Sequence, residues 1–362
     1  MSRLVLMVPG SLAQRSGGYE YYRRMAAGLR ARGWTVDVRE LDASFPRPTP
    51  AALVEAAAVL AAIPDEATVV VDGLAFGAMA AEAEREASRL HLIALVHLPL
   101  AAEIGIGRED AIRFEASERR ALASARRVIV TGHATAIELQ AYGVRRDAIV
   151  VVEPGTDRAP LATGSRPGPG DPLHLVSVAA ITPGKGHEIL LRALSPLRQR
   201  PWRLTCAGSV ERHPATAARL RDMLRDLLPA DGLEGRVAFA GELDASALAE
   251  LYDSADLFVH ATLHETYGMV VAEALARGLP VIATATGAIP SLVGADAGVV
   301  VAPGDSDALA RALSSVLSDE TFRQRLMAGA RRVRDRLPTW DEAASAFASA
   351  LARFDSDGPF AR

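Results

Sequence analysis

Along the chain, short continuous apolar runs alternate with longer segments in which apolar and polar positions have a helical period. Short continuous apolar runs are typical of strands buried on both faces of a parallel sheet. Longer segments rich in Ala, Leu, Arg and Glu separate these runs and have helical spacing. The predicted strands of the first half are Arg3–Val8, Thr35–Arg39, Thr68–Val71, Leu92–Val96, Arg127–Val130 and Ile149–Val152, and the predicted helices are Tyr19–Arg32, Pro50–Ile63, Phe76–Leu90, Ala111–Ser124 and Ala134–Tyr142.

The alternation stops at the Pro- and Gly-rich segment Gly164–Gly170, which we interpret as a linker, and then restarts. Two strand-and-helix series predict an α/β protein with two doubly wound domains facing each other across a cleft, where a ligand binds. We place the domains at 1–165 and 166–340, with a final helical segment at 341–362. The second series predicts strands Leu173–Val178, Arg203–Ala207, Val237–Ala240, Leu257–Val259, Val281–Thr284 and Gly298–Val301, and helices Gly186–Arg198, Pro214–Leu227, Ala245–Ser254, Gly268–Arg277, Ile289–Val293 and Asp305–Leu317.

Composition narrows the class of protein. Cys206 is the single cysteine among 362 residues, which rules out an intrachain disulfide and a thiolate zinc site and favours the cytoplasm. No apolar run approaches the ~18 residues that cross a bilayer, and the net charge of −4 argues against a nucleic-acid partner. Residues 1–165 are close to neutral, which argues against binding to a membrane surface.

A first chemical constellation is the segment His264–Pro280, which follows a predicted strand and opens a helix. We expect Glu265 in the loop at the strand's carboxyl end, where its side chain reaches into a cleft. The amides of Tyr267–Met269 start the helix, and unpaired N–H groups at that position favour an anion such as a diphosphate. Glu273 lies eight residues after Glu265 among apolar neighbours, which favours a dedicated partner such as a ribose diol over an exposed surface position.

A second constellation surrounds Lys185, the chain's single lysine among 40 lysines and arginines. It lies between Gly184 and Gly186 at a predicted strand-to-helix junction, where exposed amides and a compact ammonium suit phosphate oxygens. The spacing is not that of a P-loop, because no Ser or Thr follows the lysine. A plain surface loop is the alternative interpretation.

In this order and spacing, the two segments resemble the retaining glycosyltransferases of family 4, which adopt the GT-B fold of two Rossmann-like domains. Glu265 and Glu273 match the family's Glu-x7-Glu signature, and Pro183–Gly186 matches its phosphate loop. The resemblance covers most of residues 173–345. It implies that Glu265 binds the transferred sugar and Glu273 the nucleotide ribose, and that the last helix returns to the first domain. One position departs from the family's pattern: Ala180, five residues before Lys185, replaces an arginine that the family usually has, which removes a positive charge from the diphosphate site.

The first half resembles the family more loosely. Gly17 and Gly18 occupy the place of a glycine-rich loop near donor and acceptor, and His97 occupies the strand-end place of an active-site histidine. An ordinary turn and an ordinary loop histidine remain the alternatives. Tyr19 and His133 are acceptor-side candidates. The implied catalytic set is His97, Lys185 and Glu265, and the donor-binding set is Gly17, Gly18, Lys185, Glu265, Thr266, Tyr267, Gly268, Met269 and Glu273.

The sequence therefore predicts an enzyme that moves a hexose-type sugar, with retention, from a nucleotide-diphosphate sugar to a small-molecule acceptor. We expect no metal and no other cofactor. A second hypothesis is a GT-B partner subunit with weak or no activity, which Ala180 keeps open. A third, a Rossmann oxidoreductase, requires a G-x-G-x-x-G after the first strand, which Pro9–Gln14 does not provide.

Overall fold

The computed structural model describes residues 2–165, 171–227 and 235–352, whose strands form two parallel six-stranded sheets. The order in the first sheet is β2-β1-β3-β4-β5-β6, and in the second it is β12-β11-β10-β7-β8-β9. Every predicted strand is found. The first sheet contains β1 (Arg3–Pro9), β2 (Thr35–Leu41), β3 (Thr68–Asp72), β4 (His91–Val96), β5 (Arg127–Val130) and β6 (Ile149–Val151), and the second contains β7 (Leu173–Val178), β8 (Trp202–Ala207), β9 (Val237–Gly241), β10 (Leu257–His260), β11 (Val281–Thr284) and β12 (Gly298–Val301).

Helices connect the strands, as parallel pairing requires. The first half contains α1 (Gly17–Ala31), α2 (Pro50–Ala61), α3 (Gly73–Phe76), α4 (Ala80–Glu86), α5 (Arg108–Ala123) and α6 (His133–Ala141). The second contains α7 (His187–Leu194), α8 (Pro214–Leu227), α9 (Ala245–Asp253), α10 (Met269–Ala276), α11 (Ile289–Val293), α12 (Ser306–Ser318) and α13 (Glu320–Arg334), and α14 (Trp340–Ala352) follows. Within the described residues, no helix is long and apolar enough to cross a membrane.

The continuous apolar strands are explained by burial on both faces of each sheet. In β1, Leu4, Leu6 and Val8 pack into one core, while Val5 and Met7 pack into another on the opposite face. Successive side chains of a strand point to opposite faces, so a strand covered on both sides has no polar position.

Helix α14 completes the first of these cores. Ala344 and Phe347 are buried with Tyr21 and Leu29 of α1. The approach is close, because a Cβ on Gly28 of α1 would lie 2.4 Å from the Cβ of Ala344. Residues Met1–Gly155 and Pro338–Arg362 accordingly form one compact unit, and Thr156–Leu337 form the other.

The predicted boundary between residues 165 and 166 lies inside the second unit. The amides of Ala162 and Gly164 donate to the carbonyls of Arg277 and Asp253, at 2.9 and 2.8 Å. Ser165 is held by the carboxylate of Asp256. The first part of the predicted linker is therefore bonded to the second unit, and residues 166–170 and 353–362 lie outside the described residues.

The predicted helix Phe76–Leu90 is wrong as a single element, since α3 and α4 divide it. The Asp72 carboxylate accepts a hydrogen bond from the Leu74 amide at 2.6 Å and starts α3 early. At the break, a Cβ on Gly77 would lie 2.8 Å from Leu100 and 3.2 Å from Glu118. The backbone of this break therefore packs directly against its neighbours, which apolar periodicity cannot reveal.

In the second sheet, β7 and β10 lie side by side and the chain winds outward from them in opposite directions. Ligands bind at such switch points, beyond the carboxyl ends of the two strands. The turn after β7 packs there against the end of β10. Gly186 has φ = +67°, and a Cβ on it would lie 1.9 Å from the carbonyl oxygen of Ala261.

Substitution of Gly186 tests how much this close contact adds to the usual cost of a left-handed backbone conformation. A left-handed alanine costs about 1–2 kcal/mol wherever it occurs. Gly241 has φ = +69°, and a Cβ on it would meet no atom of the described residues within 4 Å, so Gly241→Ala measures that cost alone. We expect Gly186→Ala to lower the free energy of unfolding by clearly more than Gly241→Ala in chemical denaturation. Equal losses would contradict the packing described.

Glu118 of α5 gives the first unit a pH-dependent stability. Its side chain is buried, and one oxygen accepts the Leu100 amide at 3.0 Å. Burial raises the pKa of Glu118 to about 8. The folded state therefore holds a proton between the unfolded pKa and pH 8 that the unfolded state has lost, so stability falls as pH rises through that window.

Glu118→Gln should remove this dependence, because the amide stays neutral. We expect the melting temperature of Glu118→Gln, relative to wild type, to be higher at pH 8 than at pH 5. Glu109→Gln, at an exposed position of the same helix, is the control and should follow the wild-type profile. Parallel pH profiles for wild type and Glu118→Gln would contradict the assignment.

Candidate functional site

The edge of the second sheet at its switch point brings together the two constellations predicted from sequence. Lys185 ends a 3-10 turn after β7, and Glu265 lies in the loop after β10. Lys185 Nζ donates to Glu265 Oε2 at 2.8 Å. The side chains are 31% and 18% exposed, so the ion pair lies at the surface of the unit with its carboxylate largely covered.

Backbone hydrogen bonds fix the two loops to each other. The carbonyl oxygen of Gly184 accepts the Leu263 amide at 2.8 Å and the Thr262 hydroxyl at 3.1 Å. The same hydroxyl lies 2.7 Å from the carbonyl of His264. Two loops that are 80 residues apart in sequence therefore form one surface. The Lys185–Glu265 contact is supported by these hydrogen bonds between the loops as well as by the two side chains.

The electrostatics of Glu265 are dominated by its neighbours. Burial alone would raise the pKa of this carboxyl, but the Lys185 ammonium and the imidazole of His260 outweigh burial and hold the pKa well below its ordinary value. Glu265 is therefore ionised at neutral pH. Its other oxygen, Oε1, accepts the Thr266 amide at 3.1 Å.

Glu273 projects from the middle of α10 and is half-buried. Tyr252, fully buried on α9, donates its hydroxyl to Glu273 Oε2 at 3.0 Å. The guanidinium of Arg277 lies 4.5 Å from the centre of the Tyr252 ring. The partner expected for this glutamate thus includes a buried tyrosine, which fixes one carboxylate oxygen.

The start of α10 has the geometry expected of an anion site. Gly268 is the N-cap with φ = +93°, Tyr267 before it is buried, and Met269 is the first helical residue. The first amides of a helix have no intrahelical acceptor, and the helix dipole adds to their attraction for negative charge. Thr266 connects this helix start to Glu265.

A third loop, after β11, was missed by sequence reasoning. A Cβ on Gly287, which has φ = +53°, would lie 2.2 Å from the carbonyl oxygen of Glu265 and 2.4 Å from that of Thr266. The Ala288 amide donates to Thr266 at 3.0 Å. The loop therefore clamps the backbone behind Glu265. The signal in the sequence was a glycine shortly after a buried strand.

In the first unit, His97 follows β4 at the carboxyl edge of the sheet. Its Nδ1 lies 3.3 Å from the Thr131 hydroxyl, and its carbonyl accepts the Thr135 hydroxyl at 3.3 Å. The rings of Tyr21 and Tyr22 pack edge-on against the imidazole. Burial lowers the pKa of His97 to about 4, so the imidazole is neutral at physiological pH.

Asp72, at the end of β3, is a buried carboxyl that sequence reasoning did not select. It accepts the hydroxyl of Tyr22, and burial raises its pKa to about 6 against the opposing effect of its hydrogen bonds. Asp72 thereby anchors the ring that packs on His97. A charged residue directly after the apolar run Thr68–Val71 was the available signal.

The other candidates of the first unit are placed as follows. Gly17 and Gly18, predicted as a loop, form the first turn of α1 instead, because the Ser16 side chain caps the helix ahead of them. Tyr19 donates its hydroxyl to the Pro9 carbonyl. His133 is exposed at the start of α6 and lines an open pocket of about 460 Å³ on that helix.

No group of three or more His, Cys, Asp or Glu side chains in the described ranges is arranged to hold a metal ion. Asp-x-Asp spacing, whose carboxylates could hold a hard cation, occurs at Asp305–Asp307 and again at 355–357. Asp305 caps α12 by accepting the Ala308 amide at 2.8 Å. The second occurrence lies outside the described residues.

Part of the chain is similar in sequence to known proteins. Residues 165–333 match the profile of the family described as Glycosyl transferases group 1. A D-inositol 3-phosphate glycosyltransferase from Xylanimonas cellulosilytica is 33% identical over 229 residues, which are 59% of this chain and 53% of that protein. An uncharacterized glycosyltransferase from Methanocaldococcus jannaschii is 31% identical over 48% of this chain and 43% of that protein. The chain spans about half the length of the curated relatives it matches.

Solved structures resemble the fold over nearly its whole length. Sucrose-phosphate synthase from Thermosynechococcus elongatus has a TM-score of 0.82 at 21% identity, covering 98% of this chain and 100% of that chain. HepE from Anabaena, in complex with UDP and glucose, has a TM-score of 0.77 at 19% identity, with 97% and 99% covered. These likenesses confirm the predicted α/β fold of the GT-B class. Residues 165–333 are therefore similar to the domains of the glycosyl transferases group 1 family.

Proposed function

We propose that the chain is a retaining glycosyltransferase that moves a hexose-type sugar from a nucleotide-diphosphate sugar to a soluble small-molecule acceptor. The observation that carries the proposal is the Lys185–Glu265 contact of 2.8 Å at the switch point of the second sheet, directly before the start of α10. One cation, one carboxylate and a helix N-terminus on the same surface suit a ligand that has both a diphosphate and sugar hydroxyls.

The roles follow from the chemistry of each group. Lys185 and the first amides of α10 bind the diphosphate and stabilise the charge that develops on it as it leaves. Glu265, ionised and held by Thr266, accepts hydrogen bonds from sugar hydroxyls. Glu273 accepts from the two hydroxyls of the ribose, with one of its oxygens already oriented by Tyr252.

We propose a front-face displacement for the reaction itself. The acceptor oxygen forms a bond to the anomeric carbon on the face from which the diphosphate departs, and the bond from that carbon to the phosphate oxygen breaks. The acceptor proton passes to an oxygen of the leaving phosphate, so the step needs no metal and no protein nucleophile. Neutral His97, oriented by Thr131, is proposed to align the reacting groups, with Tyr19 and His133 as acceptor-side candidates and Gly17 and Gly18 as donor-binding residues.

A second candidate function is a GT-B partner subunit with little activity of its own. Ala180 favours it, because the resemblance places a phosphate-binding arginine at that position. The same donor experiments separate the two functions, since a partner subunit does not turn over a nucleotide sugar.

Glu273→Gln tests the proposed donor site. Losing a charged hydrogen-bond acceptor costs about 1.5–3 kcal/mol, or roughly 10–100-fold in affinity. We expect UDP-, GDP- and ADP-sugars, screened by thermal shift, to include a donor that stabilises and is slowly hydrolysed by wild type. Glu273→Gln should weaken binding of that donor by about this factor.

Glu250→Gln, at an exposed position of α9, serves as the matched control and should bind the donor like wild type. A Glu273→Gln protein that binds and hydrolyses the donor as wild type does would refute the ribose role. Donor binding without any turnover, with or without acceptors, would favour the partner subunit.

A further inference from the structure

A buried histidine close to Glu265, His260, binds neither the donor nor the acceptor in the proposed function. His260 is the last residue of β10 and is 1% exposed, with its ring stacked on Phe258 at a centroid distance of 6.2 Å. Its Nε2 lies 3.5 Å from Glu265 Oε2, about 0.5 Å longer than an ordinary N–H···O bond. Neither ring nitrogen has a hydrogen-bond partner within the described part of the chain. Burying an imidazole without hydrogen-bond partners lowers the stability of the folded state. Packing alone therefore does not explain why a histidine occupies this position.

Under the proposed function, the Lys185 ammonium is a hydrogen-bond donor to two anions, the Glu265 carboxylate and the donor diphosphate. In the structure its ammonium is bonded to Glu265 Oε2, yet the same ammonium is proposed to bind the diphosphate. The side chain is 31% exposed, so it has room to turn. Glu265 is mostly covered, and a covered carboxylate that loses its cation is strongly destabilised unless another donor replaces it.

The two oxygens of Glu265 differ in what remains after Lys185 turns away. Oε1 keeps the Thr266 amide at 3.1 Å, which is a backbone contact. Oε2 loses the ammonium, while His260 Nε2 lies 3.5 Å from the same oxygen. A neutral imidazole has one N–H, and a tautomer with the proton on Nε2 directs it at this oxygen.

We propose that His260 is a positioning residue for Glu265: its Nε2–H takes over Oε2 when Lys185 turns to the donor diphosphate. This inference rests on the proposed donor site and adds the residue that keeps Glu265 oriented while the site is occupied. Orienting hydrogen bonds of this kind hold a functional carboxylate within the tight tolerance that catalysis requires.

A second buried histidine, His187, lies at the start of α7, and neither of its ring nitrogens has a hydrogen-bond partner within the described residues. Burial, together with the neighbouring Lys185 ammonium, lowers the pKa of His187 to about 4, so this imidazole is neutral. The basic nitrogens that lie 2.8 and 3.5 Å from Glu265 Oε2 belong to Lys185 and His260.

Two variants at position 260 test the inference. His260→Leu removes the N–H at similar volume, while His260→Gln keeps an amide donor of similar reach. We expect His260→Leu to bind UDP or GDP, whichever the wild type binds, within about threefold of wild type, while kcat for the nucleotide sugar falls about tenfold or more. His260→Gln should recover most of that loss.

A double-mutant cycle distinguishes a role of His260 in orienting Glu265 from a role in the stability of the fold. If His260 acts through Glu265, the double variant His260→Leu with Glu265→Gln should be no slower than Glu265→Gln alone. His174→Gln is the control, because His174 is a buried histidine in the same sheet, bonded to Thr205 at 2.9 Å. It should lower the melting temperature and leave kcat of the folded protein unchanged.

Three outcomes would overturn the inference while leaving the proposed function intact: an unchanged kcat in His260→Leu, losses that add in the double variant, or equal losses of UDP or GDP binding and kcat. A wild-type protein that neither binds a nucleoside diphosphate nor turns over any nucleotide sugar would refute the proposed function itself, and the inference with it.

Discussion

The candidate site depends on one close contact, between Gly186 in the turn after β7 and the carbonyl oxygen of Ala261 at the end of β10. The space there excludes any Cβ, so the two loops at the switch point share one surface. Lys185 and Glu265 lie on either side of this contact and are brought to 2.8 Å. A bulkier residue would separate the loops and with them the ion pair, whatever the chemistry of the side chains.

Charge in this region is balanced locally. Glu265 is kept ionised by Lys185, while His187 and His260 are kept neutral, chiefly by burial. The arrangement places a partly exposed ammonium on a largely covered carboxylate. Under the proposed function, a bound diphosphate competes with Glu265 for that ammonium, so the other neighbours of Glu265 matter as much as Glu265.

The sequence predicts the strands well because burial on both faces produces continuous apolar runs. It singles out Lys185 and Glu265 because a rare or charged residue appears where such a run ends, and Glu273 because apolar residues flank it. It fails where the determinant is a backbone contact. The break at Gly77 and the clamp formed by Gly287 depend on which atoms a Cβ would meet, and these come from distant segments. Asp72 and His260 are not singled out by the sequence, because only the fold shows that Asp72 accepts the Tyr22 hydroxyl and that His260 Nε2 lies 3.5 Å from Glu265 Oε2.

Calorimetric titration of nucleoside diphosphates against monophosphates of the same base tests the central claim, that Lys185 faces the terminal phosphate at the Glu265 loop. Wild type should bind UDP over UMP, or GDP over GMP, by about 10–100-fold, the value of a charged hydrogen-bonded contact. In Lys185→Gln that preference should shrink to within about threefold. A Lys185→Gln protein that keeps the full wild-type preference for the diphosphate would contradict this claim.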